Sequence, residues 1–299
     1  MRVVVTGASG FVGEAVCRQL LERGHDVAAL VRRPGSEPAG TKALAGDLTD
    51  GDRLRDGIVA AAPDAVVHLA AEIATQRDER RIREVNVEGT RRLVDACLAA
   101  GGPRIVFAST VVTGDAHGAL LTEDAPLPVT TPYGRSKQEG ERIVLGSGLP
   151  AVVIRPSHVY GPGGWYAHDL VARLRGPGRF AVIGRGDNLW DVVHVEDVAS
   201  ACVTAAEADA AVGEVFHCAD DAPITCYDFL ALTARELGLG PPRRIPAAIA
   251  RLVAGPNAVA AVVRSARSSN AKLKGVLGWQ PRYPSAQEGV PATIAALAA

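Results

Sequence analysis

What this 299-residue chain lacks narrows its reading before any motif is considered. Its five cysteines (Cys17, Cys97, Cys202, Cys218 and Cys226) form no CxxC pair, and their odd number argues against a disulfide framework. Most lie in apolar stretches, where a thiol acts as a small hydrophobe, so a reducing, cytoplasmic setting is expected. Neither sign of charge is in excess, with 32 basic and 33 acidic residues, so neither nucleic acid nor a membrane is an expected partner. The seven histidines are scattered without metal-ligand spacing, and no metal site is expected. No apolar run reaches spanning length. The weakly polar stretch 247–263 is broken by Arg251 and by Gly255-Pro256-Asn257, and reads as two packed helical pieces. Met1-Arg-Val-Val-Val-Thr6 runs straight into a glycine loop, too short for a signal segment. No repeat or low-complexity tract is visible.

What is present is an ordinary globular balance, 47% hydrophobic and 22% charged, with length for one large α/β domain or two around a cleft. The first half alternates short β-branched runs with helical patterns, as parallel βαβ units do. Strands are predicted at 2–5, 26–31, 65–68, 104–108 and 151–154, and helices at 11–23, 80–100 and 131–145. After Pro156 the texture changes, with Gly161-Pro-Gly-Gly164 and Arg175-Gly-Pro-Gly178 punctuating a loop-rich stretch. Helical patterns return near 195–208 and 226–237. The expected fold class is therefore α/β: a Rossmann-type doubly wound parallel sheet over 1–155, with a smaller C-terminal substrate-binding lobe over 156–299. Some segments of that lobe are expected to return to the first domain.

The strongest local signal is Thr6-Gly7-Ala8-Ser9-Gly10-Phe11-Val12-Gly13, directly after an apolar strand and opening a helix. Small residues there let the backbone approach a pyrophosphate, whose charge the helix N-terminus favours. Gly7, Ser9, Gly10, Phe11, Val12 and Gly13 are the candidate cofactor contacts. The spacing is GxxGxxG rather than the commoner GxGxxG. An NAD site usually carries Asp or Glu about 20 residues past the loop, on the ribose 2′-hydroxyl. Here that place reads Leu30-Val-Arg32-Arg33. Two guanidiniums suit a 2′-phosphate, so NADP(H) is favoured, with NAD(H) possible. Asp47 and Leu48 are expected to border the adenine.

Tyr133-Gly-Arg-Ser-Lys137 begins a predicted helix, and its four-residue spacing puts both side chains on one face. A phenol titrating near 10 is a poor acid–base group at neutral pH, and a nearby ammonium would stabilise its phenolate. Alone, such a pattern is common. Its companions give it weight: GDL at 46–48, HLAA at 68–71, Asn86-Val-Glu-Gly-Thr90, Ser109-Thr-Val-Val-Thr-Gly114, Arg155-Pro-Ser-His-Val-Tyr-Gly-Pro-Gly163, Val193-His-Val-Glu-Asp-Val198 and Leu277-Gly-Trp279. With these in order along its whole length, the chain resembles the extended short-chain dehydrogenase/reductase family, also called the NAD-dependent epimerase/dehydratase family.

The resemblance implies roles. Ser109 matches the residue that hydrogen-bonds the reacting oxygen, Tyr133 the proton donor and acceptor, and Lys137 its electrostatic partner on the nicotinamide ribose. Leu69, Ala70 and Ala71 match the segment beside the cofactor's ribose, and Pro156, Ser157 and His158 the segment beside the nicotinamide. Asn86 is either a structural helix residue or part of that machinery. The long helices 80–100 and 131–145 match those that form a homodimer interface in the family.

Departures from the family pattern bear on the substrate. Thr113 stands where nucleotide-sugar enzymes usually have an aromatic residue, and Trp190 where many have an arginine gripping a diphosphate. Thr110-Val111 replaces the Asp-Glu of dehydratases. Candidate substrate contacts are Thr110, Val111, His158, Trp165, Tyr166 and Trp190, with Arg267 and Lys272 either meeting an anionic group or standing as surface charges. The expected function is an NADP(H)-dependent ketone or aldehyde reductase, equivalently an alcohol dehydrogenase, acting on a small carbonyl or alcohol substrate. The alternative is a nucleotide-sugar epimerase or reductase. A dinucleotide-sensing regulatory protein is a third reading, disfavoured by the intact Tyr133–Lys137 pair.

Overall fold

The computed structural model describes residues 1–176, 181–254, 259 and 262–298. Pro177, Gly178 and the Gly255-Pro256-Asn257 break lie outside them.

Seven parallel strands form the central sheet: β1 (Arg2–Thr6), β2 (Asp26–Val31), β3 (Lys42–Ala45), β4 (Ala65–His68), β5 (Arg104–Ala108), β6 (Ala151–Pro156) and β7 (Val215–Cys218). Their spatial order is β7-β6-β5-β4-β1-β2-β3. The order reverses between β1 and β4, which opens a crevice at the carboxyl ends of those strands, where ligands of such sheets bind. The inner strands are buried on both faces, as the continuous Val/Ile runs anticipate, while the edge strand β3 is open to solvent. Alternation then sorts each strand: Val3 and Val5 pack against α1 (Phe11–Glu22) on one face, whereas Val4 joins Leu54, Ile58 and Leu93 on the other. Each such side chain, fully buried, is worth about 1.5–3 kcal/mol against exposure.

The second face is covered by α2 (Gly51–Ala61), by α3 and by α4 (Pro132–Leu145). α3 departs from the simple helix predicted over 80–100. It runs as α-helix over Glu79–Arg83, widens into a π-turn over Glu84–Glu88, and returns to α-helix over Gly89–Ala99. Such one-turn widenings often mark functional positions. α4 starts where the sequence indicates, because the Thr131 hydroxyl caps the Gly134 amide and Pro132 needs no donor at the first turn. It lies close on the sheet at Gly140, where a Cβ would come within 2.5 Å of the Phe107 ring.

Past Pro156 the chain leaves and re-enters this body. Helix α5 (Val195–Glu207) packs among Val16 and Leu20 of α1, and β7 adds the outermost strand beside β6. The remaining segments form the smaller lobe, centred on Tyr160, Tyr166, Leu170, Trp190, Phe229 and Val290. No helix among the described residues is long and apolar enough to cross a membrane.

Candidate active site

Five of the segments singled out in the sequence emerge at the carboxyl edge of the sheet. The glycine loop follows β1, Arg32 and Arg33 follow β2, Leu69–Ala71 follow β4, Ser109–Val111 follow β5, and Ser157–His158 follow β6.

At the loop, Gly7 has φ +68 and lies against the β4 exit; a Cβ there would sit 2.7 Å from the Ala70 nitrogen. At Gly13 a Cβ would fall 2.1 Å from the Gly7 carbonyl oxygen. No side chain fits either place, and the backbone at the start of α1 stays uncovered as a cradle. Ser9 and Gly10 are exposed there, and Val12 is half-buried. The Phe11 ring is turned away, packed under Gly163 and Gly164 of the lobe's glycine turn.

Arg32 and Arg33 are exposed just beyond β2. Burial alone would raise the Asp47 carboxyl. Hydrogen bonds from the Thr49 amide and hydroxyl, with the charges of Arg32 and Arg81 nearby, outweigh it and hold the group below its usual range. Leu48 does not border this site by its side chain. It is buried against Gly89 in the core, because α3 packs closely there.

A buried hydrogen-bond chain ties these exits together. The Ala70 amide donates to the Thr6 hydroxyl (3.2 Å), which lies 2.7 Å from Nδ1 of His68. On the far side, Nε2 of His68 lies 3.1 Å from the Thr90 hydroxyl, which donates to the Asn86 carbonyl (2.7 Å). With the Thr90 proton spent on that carbonyl, Nε2 carries the imidazole proton and Nδ1 accepts from Thr6. Burial, with the Lys137 charge nearby, pushes His68 down to about 3, so it stays neutral. The Asn86 side chain continues the chain. Its amide accepts from the Glu72 amide (2.7 Å) and donates to the Glu72 carbonyl and the Ser136 hydroxyl (both 2.9 Å). Ser136 in turn donates to the Tyr133 carbonyl at 2.7 Å. Asn86 is thus a clasp between the β4 exit and α4.

On α4, Lys137 is buried with its ammonium 4.3 Å from the Phe107 ring centroid. Burial lowers it to about 8, against the opposing charge of Glu141, which itself is held by Arg155 in two bonds of 2.9 and 2.7 Å. Tyr133 is half-buried, and burial pushes its phenol up to about 12. The Ser109 backbone stays paired with β6, its amide donating to the Ile154 carbonyl at 2.7 Å. Its Oγ is buried and has no partner among the described residues, as is the Oγ of Ser157. Unpaired buried hydroxyls are rare because each forfeits hydrogen bonds it would have in water, so such a group at a site edge is suited to a ligand oxygen.

Beyond Ser109 a pocket opens, lined by Val111, Val112, Gly114, His158, Leu189, Asp191, Arg264 and Ala266. His158 stands on its wall, stacked on Trp190 at 5.6 Å and 14°. Trp190 is itself buried and backs the wall, and Trp165 meets it edge-on while donating to the Val159 carbonyl. Thr110 lies beside, its hydroxyl turned to the Pro156 carbonyl. Tyr166 does not reach the pocket: it is fully buried in the lobe core with its hydroxyl 3.0 Å from that of Thr233. Lys272 pairs with Glu214, and Arg267 is an exposed strand residue, so these two are surface charges. The cation at the pocket is Arg264, which carries no motif and was not among the sequence candidates.

With this geometry in view, the comparisons with known proteins are direct. The model of the NAD dependent epimerase/dehydratase family matches residues 3–219. The chain belongs to this family. Among its relatives is a 3-diazoavenalumate denitrifying reductase from a Streptomyces species, 34% identical over 303 residues, covering 97% of this chain and 99% of the relative. A 2-alkyl-3-oxoalkanoate reductase of Stenotrophomonas maltophilia is 32% identical over 220 residues, covering 70% of this chain and 66% of that protein. Among solved structures, the Thermus thermophilus UDP-glucose 4-epimerase in complex with NAD superposes with a TM-score of 0.84 at 26% identity, covering 100% of this chain and 99% of that one. As an extended short-chain dehydrogenase/reductase, the protein is an enzyme of the nicotinamide-dependent oxidoreductase and epimerase class.

Replacing Asn86 by Ala leaves the Glu72 amide and carbonyl without partners and frees α4 from the β4 exit. The expected loss is about 1–3 kcal/mol of stability, read as a lower urea midpoint at unchanged m. Unchanged stability would remove the clasp.

Proposed function

We propose that this enzyme is an NADP(H)-dependent reductase of small ketones or aldehydes, equivalently an alcohol dehydrogenase, with Tyr133 as its proton donor. The observation that carries the reading is the set at one sheet edge: Tyr133 and Lys137 on α4 and the unpaired Ser109 hydroxyl at the end of β5. The pocket just past the Ser109 segment mixes Val111, Val112, Leu189 and Ala266 with His158, Asp191 and Arg264.

The loop at Gly7, Gly10 and Gly13, packed against its own backbone too closely for a Cβ at Gly7 or Gly13, leaves bare main chain at the start of α1 that suits a dinucleotide pyrophosphate. Leu69, Ala70 and Ala71 would border its ribose, and Pro156 and Ser157 its nicotinamide. When bound, the nicotinamide supplies a hydride to the carbonyl carbon. The protein does the rest. Ser109 donates to the carbonyl oxygen and fixes its position. Tyr133, held as a neutral phenol by burial, gives its proton to that oxygen. The phenolate left behind is stabilised by the Lys137 ammonium one turn on, whose charge acts in a dry site where it is weakly screened. In the oxidative direction the same groups move the proton back.

Arg32 and Arg33 support NADP(H) over NAD(H): they are exposed at the β2 exit, and no Asp or Glu occupies that place for a ribose hydroxyl. The two reductases among the relatives and Trp190 in place of a diphosphate-gripping arginine favour a reductase over a nucleotide-sugar epimerase. A homodimer through the outer faces of α3 and α4 is part of the same reading, supported by exposed Leu98 and Leu145 there. A cytoplasmic site is supported by five buried, unpaired thiols.

Tyr133→Phe should lower kcat for carbonyl reduction by about 10²–10⁴ with cofactor affinity nearly unchanged. Wild-type reduction should hold level below pH about 8 and fall above it, as the Lys137 ammonium loses its proton. Lys137→Met should lower the rate and lose that limb. Normal turnover by Tyr133→Phe would overturn the mechanism. Replacing both Arg32 and Arg33 by Ala should weaken NADPH by about tenfold or more while leaving NADH within a few-fold, measured by fluorescence titration. Equal losses for both would rule out a 2′-phosphate role.

A further inference from the structure

Arg264 is the most unusual group near the site. It lies on the segment before the Arg267–Ser268 strand, and its guanidinium lines the pocket beyond Ser109. The largest influence on it is burial, which lowers it to about 10 even with the Asp115 charge opposing, so it stays a cation. Yet no carboxylate among the described residues pairs with it. Asp115 Oδ1 accepts instead from the amides of Ser265 and His117. Asp191, also on the pocket wall, has an unpaired Oδ2 and is raised to about 7, chiefly by burial. Even half-buried, a guanidinium without a counter-ion is costly, and a ligand anion would offset that cost.

Its orientation is set by His158. The His158 Nδ1 lies 2.9 Å from the Asp191 carbonyl, which can only accept, so Nδ1 carries the proton. Nε2 is then an acceptor and takes one hydrogen bond from Nη2 of Arg264. Trp190 stacked on the imidazole holds this arrangement. Of the five N–H groups of a guanidinium, one is used; the other four have no acceptor among the described residues. The cation is thus aimed, held and short of acceptors, with Val111, Val112, Leu189 and Ala266 around it.

We propose that Arg264 anchors a carboxylate of the substrate, oriented by His158, so that this enzyme acts on carbonyl compounds that carry an acid group. This rests on the reductase reading above for the chemistry, though not for the binding. A single guanidinium matches the charge and planar fork of a carboxylate. A diphosphate would call for a second cation, and Trp190 offers none. The apolar walls suit the hydrocarbon between the acid and the carbonyl.

The test uses 4-acetylbenzoate and its neutral isostere 4-acetylbenzamide as probes, with binding to the NADPH-loaded enzyme measured by calorimetry. Wild-type enzyme should bind the acid about tenfold or more tightly than the amide. Arg264→Gln should abolish that preference by weakening the acid alone, leaving the amide within about twofold. Arg264→Lys should restore part of it, since charge survives and the fork does not. Equal binding of the two probes, binding of neither, or parallel losses for both in Arg264→Gln would overturn the proposal. Turnover separates it from the reductase reading. An acid preference that depends on Arg264, without NADPH oxidation on any carbonyl, would keep the anchor and remove the reductase. Tyr133-dependent reduction with no acid preference would do the reverse.

Discussion

The hydrogen-bond chain from Ala70 through Thr6, His68, Thr90 and Asn86 to Ser136 and the Tyr133 carbonyl holds the site to the fold. Parallel strands end independently, and their exits have no ladder to bind them to one another. Here the exits of β1 and β4, the π-turn of α3 and the first turn of α4 share one buried network. Low dielectric strengthens each of its bonds and penalises any break, which makes the arrangement close to all-or-none. The neutral imidazole of His68 is central, because a charged ring could not accept from Thr6 while donating to Thr90.

Two cations, Lys137 buried and Arg264 half-buried, then flank the candidate site. Lys137 sits over Phe107, in the reach of Glu141 and one turn from Tyr133. Arg264 sits across the pocket on His158, with no ion pair among the described residues. Desolvation disfavours the charge of each, offset in part by Glu141 at Lys137 and by Asp115 at Arg264.

Much of the site was legible because the chemistry needed contiguous residues. The glycine loop, the Tyr133–Lys137 turn, Ser109 and the Arg32–Arg33 pair are each set by spacing along one segment, and every one of them emerges at the carboxyl edge of the sheet. Several contacts were not legible. Tyr166 reads like a pocket aromatic beside Trp165, and meets that ring edge-on, but it fills the lobe core. Leu48 follows Asp47 in a motif, yet its side chain points under α3. Arg264 belongs to no sequence pattern.

The sequence by itself determined five of the seven sheet strands, the chemistry-bearing turns and the family, since strand patterns, capping and motif spacing are local properties; the edge strands β3 and β7 were left to the tertiary structure. Only the tertiary structure decided which side chains face one another across segments far apart in the chain. Asn86 and Ser136 are 50 residues apart, and His158 and Arg264 are 106 apart. Their meeting depends on how closely α4 seats on Phe107 and how the lobe folds back over the strand ends. Those are outcomes of packing, which no single stretch of sequence encodes.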